Sequence, residues 1–123
     1  MNYIKERLSS FKYAFEGIAE VLRSQANPKI HLFFAIIVLI FGGYFAISKE
    51  EWCLLILCIT AVLSAETMNT AIEHLTDLVS PEFHPLAKKT KDAAAGGVLW
   101  MAIGSVIIGL IIFLPRILEL GSK

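Results

Sequence analysis

Charged residues are scarce in this sequence. Asp, Glu, Lys and Arg make up 18% of the 123 residues, whereas 56% are hydrophobic. An average soluble domain has roughly 25% charged and 45–50% apolar residues. No charged residue occurs between His31 and Lys49, so a helix through this stretch has no polar face to turn toward water. A water-soluble helical core is therefore disfavoured, and a protein embedded in lipid is favoured.

Cysteines and nucleotide-binding motifs are also scarce or missing. The two cysteines, Cys53 and Cys58, are five residues apart on one predicted helix, so they point to different faces and a bridge between them is implausible. No Cys/His spacing indicates zinc or haem. Neither Gly-x-x-x-x-Gly-Lys-[Ser/Thr] nor Gly-x-Gly-x-x-Gly occurs, which excludes a P-loop, a dinucleotide fold or an ordinary protein-kinase site. No nucleic-acid partner is expected.

Three apolar blocks dominate what the sequence does contain: Ile30 to Ile47, Trp52 to about Leu75, and Ala93 to Leu114. Each is near the roughly 20 residues that cross about 30 Å of hydrocarbon as a helix. Helices are expected because a lone segment in lipid can satisfy its backbone only internally, and no alternating strands suggest a barrel. The sequence predicts an all-α integral membrane protein of one domain, 1–123, with transmembrane helices over 29–48, 52–76 and 91–114.

Residues 1–27 have a different pattern, which predicts an amphipathic helix lying in the membrane interface. Its apolar residues recur at helical spacing, while Lys, Arg and Glu occupy the other faces. The alternative is a soluble helix packed on a partner. Asn27-Pro28 is expected to break this helix, because proline disfavours helical geometry in the residue before it. The apolar residues of the repeat are Ile4, Leu8, Phe11, Phe15, Ile18 and Leu22.

Orientation follows from the basic residues. They are dense before the first span and again in the second loop, Lys88 to Lys91, whereas the first loop has one lysine, Lys49. Because Lys and Arg concentrate in cytoplasmic segments, the N-terminus and the second loop are predicted to be cytoplasmic. The tail from Arg116 to Lys123 then lies outside with one arginine and one lysine, which weakly contradicts the rule.

A polar stripe interrupts the second apolar block near its inner end. At about 100° per residue its four side chains fall within an arc of roughly 80°. A carboxylate at membrane depth costs roughly 2.5–3.5 kcal/mol, and like charges one turn apart repel, so a compensating cation is implied. Lys91-Asp92, beyond the following loop, can come alongside the stripe. The stripe consists of Glu66, Asn69, Glu73 and Asp77.

Three functions are compatible with such a stripe. Oxygen ligands select a hard cation, and magnesium prefers one or two carboxylates together with substrate phosphates. A remaining carboxylate could accept the proton of an attacking alcohol while lysine and metal stabilise a transferring phosphoryl group. The alternatives are a small membrane transporter that uses the carboxylates as an ion or proton pathway, and a subunit whose polar residues join helices by hydrogen bonds.

Several segments resemble the prokaryotic diacylglycerol kinase and undecaprenol kinase family. They are residues 65–73 (AETMNTAIE), Asp77 and residues 84–95 (HPLAKKTKDAAA), together with residues 10–17 (SFKYAFEG) and 30–32 (IHL). The resemblance covers essentially the whole chain. It implies an ATP- and Mg2+-dependent lipid kinase that converts diacylglycerol to phosphatidic acid or undecaprenol to undecaprenyl phosphate. It also implies a homotrimer in the bacterial inner membrane, with composite active sites near the cytoplasmic interface.

The resemblance further implies roles for the stripe. Glu66 would be the catalytic base toward the lipid hydroxyl, Glu73 a magnesium ligand, and Asn69 and Asp77 supports of the site. One departure concerns Gln25, which aligns with the family's second magnesium-binding glutamate. Its carbonyl can ligate without charge, so metal binding is expected to be weaker, to involve more water, or to draw on Asp77.

The ATP contacts are likewise assigned by resemblance. Lys91 and Asp92 would contact the nucleotide, as would Glu73 through its metal. Residues of the surface helix and the second loop would line the ATP site, and Arg7 is the nearest candidate for the basic residue that the family uses there, although it lies one residue off the simplest alignment. The lining residues are Tyr13, Glu82, Phe83 and His84.

Other conspicuous residues are expected to have structural roles. His31 stands at the start of a span, where a histidine packs or caps more often than it catalyses. Gly96 and Gly97 belong to a small-residue patch that allows helices to approach closely. Trp52 and Trp100 are interpreted as interface anchors and packing residues.

Overall fold

The computed structural model describes residues 2–123, and within them the chain forms four helices and no strand. They are α1 (Asn2–Ser24), α2 (Ala26–Tyr44), α3 (Lys49–Val79) and α4 (Pro85–Gly121). In this described part, α2, α3 and α4 are the three helices long and apolar enough to cross a membrane. The all-helical class and the three candidate membrane-spanning helices predicted from the sequence are thereby confirmed.

The break between α1 and α2 lies at Gln25, which has an extended backbone (φ −116°, ψ 138°). The sequence predicted the break at Asn27-Pro28, a few residues further on. Pro28 explains the shift, because in a continuous helix its ring would clash with the carbonyl of the residue four positions earlier, Ser24. The proline instead sits in the first turn of α2, where backbone N–H groups have no intrahelical acceptor, and it is fully buried.

A left-handed residue ends α2. Ala46 has φ 48°, and its N–H donates to the carbonyl of Gly43 at 3.3 Å, while the N–H of Ile47 donates to that of Gly42 at 3.2 Å. This pair of hydrogen bonds is the Schellman pattern, in which glycine is the usual left-handed residue. Alanine at this position stores backbone strain.

The turn after α2 delivers the chain into a well-capped α3. The hydroxyl of Ser48 accepts the N–H of Glu51 at 3.2 Å, and the carboxylate of Glu51 accepts the N–H of Ser48 at 2.9 Å. This reciprocal capping box satisfies backbone donors at the helix start. Trp52 follows and packs over Gly42, where an added Cβ would lie 2.7 Å from the indole ring. Gly42 therefore allows the close approach of α2 to α3.

The apolar core lies at this same end of the molecule. Ile47, Leu55, Ile112 and Phe113 are buried together. Next to this core, Arg116 donates two hydrogen bonds to the carboxylate of Glu51, at 3.1 and 2.9 Å. A two-pronged arginine–carboxylate pair is geometrically specific, so it fixes where the last part of α4 meets the start of α3.

The α3–α4 hairpin turns at the opposite end. The Nδ1 atom of His84 accepts the N–H of Leu86 at 3.1 Å and so caps α4, with Pro85 as the first helical residue. Proline suits that position because its missing N–H would be unpaired there in any case. Large apolar side chains cover the outer faces of the bundle, as Leu78 (80% exposed) and Trp100 (79% exposed) illustrate. Those faces suit lipid as the surrounding solvent.

Replacing Ala46 by glycine should stabilise the protein. The left-handed conformation costs alanine about 1–2 kcal/mol, and the greater flexibility of glycine in the unfolded chain offsets part of the gain. We expect the free energy of unfolding in detergent micelles to rise by about 0.5–1 kcal/mol. The control is Ala95→Gly in the interior of α4, which should lower it by up to about 1 kcal/mol. Equal losses in both variants would contradict the assignment of strain to Ala46.

Candidate active site

The four stripe residues lie along one stretch of α3 and become more exposed toward its end. Glu66 is buried, with 3% of its surface exposed, Asn69 and Glu73 are half-buried, and Asp77 is exposed. The α3 helix packs most extensively against α4 and also contacts α2 and α1. The stripe thus runs from the interior of the helical bundle to its loop end.

Glu66 is paired with a histidine from another helix. The Nε2 atom of His31, in α2, lies 3.0 Å from the Oε1 atom of Glu66. The Glu66 side chain is 4% exposed and the His31 side chain 28%. Next to them Thr70, 1% exposed, donates its hydroxyl to the backbone carbonyl of Glu66 at 3.0 Å. The most deeply buried acid of the stripe therefore has an imidazole nitrogen as its neighbour.

Asn69 and Glu73 form a second group one helical turn further on. The Nδ2 atom of Asn69 donates to the Oε1 atom of Glu73 at 3.3 Å. The Oδ1 atom of Asn69 is buried and has no hydrogen-bond partner within residues 2–123. A buried polar atom without a partner is costly and calls for an explanation. This unpaired oxygen belongs to the same side chain whose amide nitrogen contacts the Glu73 carboxylate.

The oxygens of Asn69 and Glu73 are compatible with a magnesium ion whose other ligands are water or substrate phosphates. Among residues 2–123 no cluster of three or more His, Cys, Asp or Glu side chains could enclose a metal. Magnesium does not require such a cluster, because it binds through one or two carboxylates and keeps water or substrate phosphates as its other ligands. The Glu73 carboxylate and the free Asn69 oxygen match that requirement.

An ion pair joins the end of the stripe to the next helix. Asp77 pairs with Lys91 across the α3–α4 hairpin. Asp92, the next residue, does not contact α3 in this way. It pairs with Lys88 on its own helix, with 2.5 Å between Nζ of Lys88 and Oδ2 of Asp92. The structure therefore brings Lys91 to the stripe and directs Asp92 along the exposed side of α4.

The loop residues proposed for ATP binding stay near the hairpin end. Phe83 is 82% exposed, Glu82 is exposed, and His84 lines a cavity of about 450 Å³ between the end of α3 and the start of α4. Within residues 2–123 no hydrogen bond or ion pair connects these three side chains to the stripe. They are grouped in space by the short loop alone.

The residues proposed from α1 and its end lie apart from the stripe in the single chain. Arg7 donates to the hydroxyl of Tyr3 at 2.9 Å, with its guanidinium 4.9 Å from the centre of that ring. Tyr13 is 65% exposed. Gln25 is half-buried at the start of α2 and makes no side-chain cap there. None of the three contacts an acid of α3 through a hydrogen bond in the described residues.

An apolar cleft opens beside the Glu66–His31 pair. It has a volume of about 500 Å³, lies between α2, α3 and α4, and extends from His31 to Ile117. Aliphatic and aromatic side chains form nearly all of its wall, among them Phe34, Val62 and Val106. The imidazole of His31 thus borders an apolar space large enough for part of a lipid chain.

The sequence pattern did not group His31 with the stripe. Its place at the start of a span predicted packing or capping, and the structure shows that α2 begins five residues earlier, at Ala26, and that the imidazole also contacts Glu66. The available signal was that a polar, ionisable side chain in an apolar block marks a functional position by default. Thr70, the other close neighbour of Glu66, carried no such signal.

The helices and the polar stripe together define a polytopic helical membrane protein with an acidic site set into its spanning helices. The sequence model of the prokaryotic diacylglycerol kinases matches residues 12–113. The chain belongs to the prokaryotic diacylglycerol kinase family. The resemblance stated from sequence motifs is thus confirmed, and the enzyme is a lipid kinase by family.

Individual relatives agree with this assignment. Undecaprenol kinase of Bacillus subtilis is 45% identical over 116 residues, which cover 94% of each chain. A diacylglycerol kinase of Synechocystis is 38% identical over 114 residues, 92% of this chain and 65% of the relative. A diacylglycerol kinase of Helicobacter pylori is 39% identical over 96 residues. Membership in this family favours the kinase over the transporter and the adhesive subunit that the sequence pattern left open.

The Asp77–Lys91 pair should contribute little to the free energy of unfolding, although it holds Lys91 beside the stripe. Its side chains are 61% and 39% exposed, and ion pairs with such access to water contribute about 0–1 kcal/mol. In a double-mutant cycle of Asp77→Asn and Lys91→Met, we expect a coupling free energy of unfolding below about 1 kcal/mol. A coupling of about 3 kcal/mol or more, as for buried pairs, would contradict this.

Proposed function

We propose that this protein transfers the γ-phosphate of Mg-ATP to the hydroxyl of a membrane lipid alcohol, with undecaprenol as the first-choice substrate and diacylglycerol as the second. Membership in a lipid kinase family supports the reaction. The order of substrates rests on the 45% identity to an undecaprenol kinase over 94% of both chains, against 38% and 39% for the two diacylglycerol kinases named above. The buried Glu66 beside an apolar cleft carries the assignment of the site.

Glu66 is the proposed general base. It is the stripe acid furthest from water, near the cleft, whereas ATP must arrive from the aqueous side. In the reaction the lipid hydroxyl gives its proton to the Glu66 carboxylate, and its oxygen forms a bond to the γ-phosphorus. The bond from that phosphorus to the β–γ bridging oxygen breaks, and ADP leaves. A carboxylate that accepts the proton in this step typically contributes 10²–10⁴-fold to the rate.

Glu73 is the proposed magnesium ligand, with Asn69 as its support. Magnesium bound with the nucleotide supplies positive charge that offsets the charge developing on the phosphoryl group. The hydrogen bond from Asn69 orients the Glu73 carboxylate, and the Oδ1 atom of Asn69, which has no partner in the described residues, would be available as a further oxygen at the site. Asp77 is engaged by Lys91, so it is a poorer substitute for the glutamate that Gln25 replaces.

The nucleotide is proposed to bind at the hairpin end of the bundle. Lys91 is already held beside the stripe by Asp77, and Asp92 lies one residue further along α4. Tyr13 and Arg7 of α1 and the loop residues complete this group in our proposal. The exposed loop and the neighbouring cavity at His84 give it access to water. The loop residues are Glu82, Phe83 and His84.

The proposed setting is the bacterial inner membrane, with the N-terminus and the site on the cytoplasmic side, as the distribution of basic residues indicates. α1 would lie in the interface, because it exposes apolar side chains such as Phe11 (65%) and Phe15 (69%) that water alone would not favour. The homotrimer with composite sites remains part of the proposal. It would let α1 residues that stand apart from the stripe in one chain reach the site of a neighbour.

The decisive experiment is transfer of labelled γ-phosphate by the purified protein in lipid. We expect wild type to phosphorylate undecaprenol faster than diacylglycerol, and Glu66→Gln to lower kcat by about 10²–10⁴-fold while expression is retained. The matched control is Glu50→Gln, an exposed acid at the other end of the same helix. If wild type transfers nothing to either lipid alcohol, the proposed function is wrong.

The magnesium requirement should depend on Glu73. Replacing it by glutamine removes the ligand charge, so the Mg2+ concentration for half-maximal activity should rise at least about tenfold at fixed ATP. Gln25→Glu should act in the opposite direction by restoring a second carboxylate. The measurement is activity against free Mg2+ for the three proteins. An unchanged Mg2+ dependence in Glu73→Gln would remove Glu73 from the metal site.

A further inference from the structure

The contact between His31 and Glu66 has no part in the roles proposed above. The two side chains come from different helices, α2 and α3, and meet at 3.0 Å between Nε2 and Oε1. Among the hydrogen bonds and ion pairs of residues 2–123, this is the one polar contact of the Glu66 side chain. Thr70, the other polar neighbour, donates its hydroxyl to the backbone carbonyl of Glu66 and makes no hydrogen bond to the carboxylate. The environment of the proposed base is therefore set by one imidazole.

Burial makes that contact consequential. The Glu66 side chain is 4% exposed, and a buried carboxylate without a donor is far more costly than a buried hydrogen-bonded one. The Nε2 atom of His31 lies 3.0 Å from Oε1, a distance at which an imidazole N–H can donate to a carboxylate. The contact occupies Oε1 and leaves Oε2 for another proton. It also restricts rotation of the carboxylate.

The backbone around His31 is itself fixed. Gln25 interrupts the helix and buried Pro28 lies in the first turn of α2, so the position of the imidazole follows from where α2 starts. His31 also lines the apolar cleft, with 28% of its side chain exposed. One residue therefore touches both the carboxylate and the space that opens toward lipid.

We propose that His31 is a positioning residue for Glu66: its Nε2–H holds one carboxylate oxygen, so that the other faces the lipid hydroxyl during phosphoryl transfer. This inference rests on the proposed function. It requires a donor at the Nε2 position and no proton transfer through the ring. A packing role, in contrast, requires only an apolar group of similar volume.

Two substitutions at position 31 separate these roles. In His31→Gln the amide nitrogen can take the place of Nε2, whereas in His31→Leu the volume is kept and the donor is lost. Because misplacing a reacting group by about 1 Å can cost 10²-fold, we expect kcat of His31→Leu to fall about 100-fold. The KM values for Mg-ATP and lipid should stay within about threefold, since binding elsewhere is untouched. His31→Gln should retain at least about a third of the wild-type kcat.

The control is Cys53→Ala, an exposed position of α3 outside the cleft, which should leave kcat unchanged. Thermal unfolding and size-exclusion profiles of all variants establish that each is folded. Wild-type kcat in His31→Leu would overturn the proposal in favour of packing. Equal loss in His31→Gln and His31→Leu would also overturn it, because the ring would then do more than donate one hydrogen bond.

A spectroscopic readout tests the contact without any activity. In protein labelled with ¹⁵N-histidine, the ring N–H resonance that disappears in His31→Gln belongs to His31. We expect it far downfield in wild type and shifted upfield in Glu66→Gln, because the charged acceptor is lost. An identical resonance in both proteins would overturn the proposal. If the shift is seen but wild type phosphorylates no lipid alcohol, the proposed function fails while the contact stands.

Discussion

The buried carboxylate of Glu66 is the constraint on which the rest of the site depends. A charge among spanning helices is unfavourable by several kcal/mol unless a polar partner meets it, and the partner here is His31 from the neighbouring helix, whose Nε2 atom lies 3.0 Å from Oε1. The pairing requires α2 and α3 to meet at one depth and one rotation. The helix break at Gln25 and the close approach at Gly42 both serve that alignment, one at each end of α2.

The ion pairs at the two ends of the α3–α4 hairpin differ in their exposure to water and in their role. At the end with the apolar core, Arg116 grips Glu51 by two hydrogen bonds beside buried Ile112 and Phe113, and this end fixes the register. At the loop end, Asp77 and Lys91 meet where water can reach them. Because water can replace either partner, the Asp77–Lys91 pair can separate when an anion binds to Lys91. Separating Arg116 from Glu51, whose side chains are less exposed, would leave hydrogen-bonding groups of both residues without a partner.

Hydropathy and spacing predicted the helical class, the three membrane-spanning helices and the polar stripe, because these depend on properties of single segments. Contacts between segments were not accessible in this way. Lys91 and Asp92 were expected together at the stripe, but one helix residue rotates the side chain by about 100°, and Asp92 pairs with Lys88 instead. The His31–Glu66 contact likewise depends on helix rotation and depth, which sequence periodicity leaves undetermined. To place the helix break at Gln25, one must consider that the Pro28 ring would clash with the carbonyl of Ser24 in a continuous helix.

Burial along α3 arranges the stripe in the order that the proposed reaction requires. Glu66 and Glu73 are seven residues apart, which is about 10 Å along a helix, and our proposal therefore assigns lipid and nucleotide to different acids. The inner acid is buried beside the apolar cleft, with the His31 imidazole next to it. The outer acid lies toward the loop, beside an unpaired amide oxygen. Asn69, between them, is one turn from each. In our proposal the lipid hydroxyl therefore lies toward the inner acid and the nucleotide toward the outer acid, and direct transfer takes place where the two substrates meet, beside Asn69.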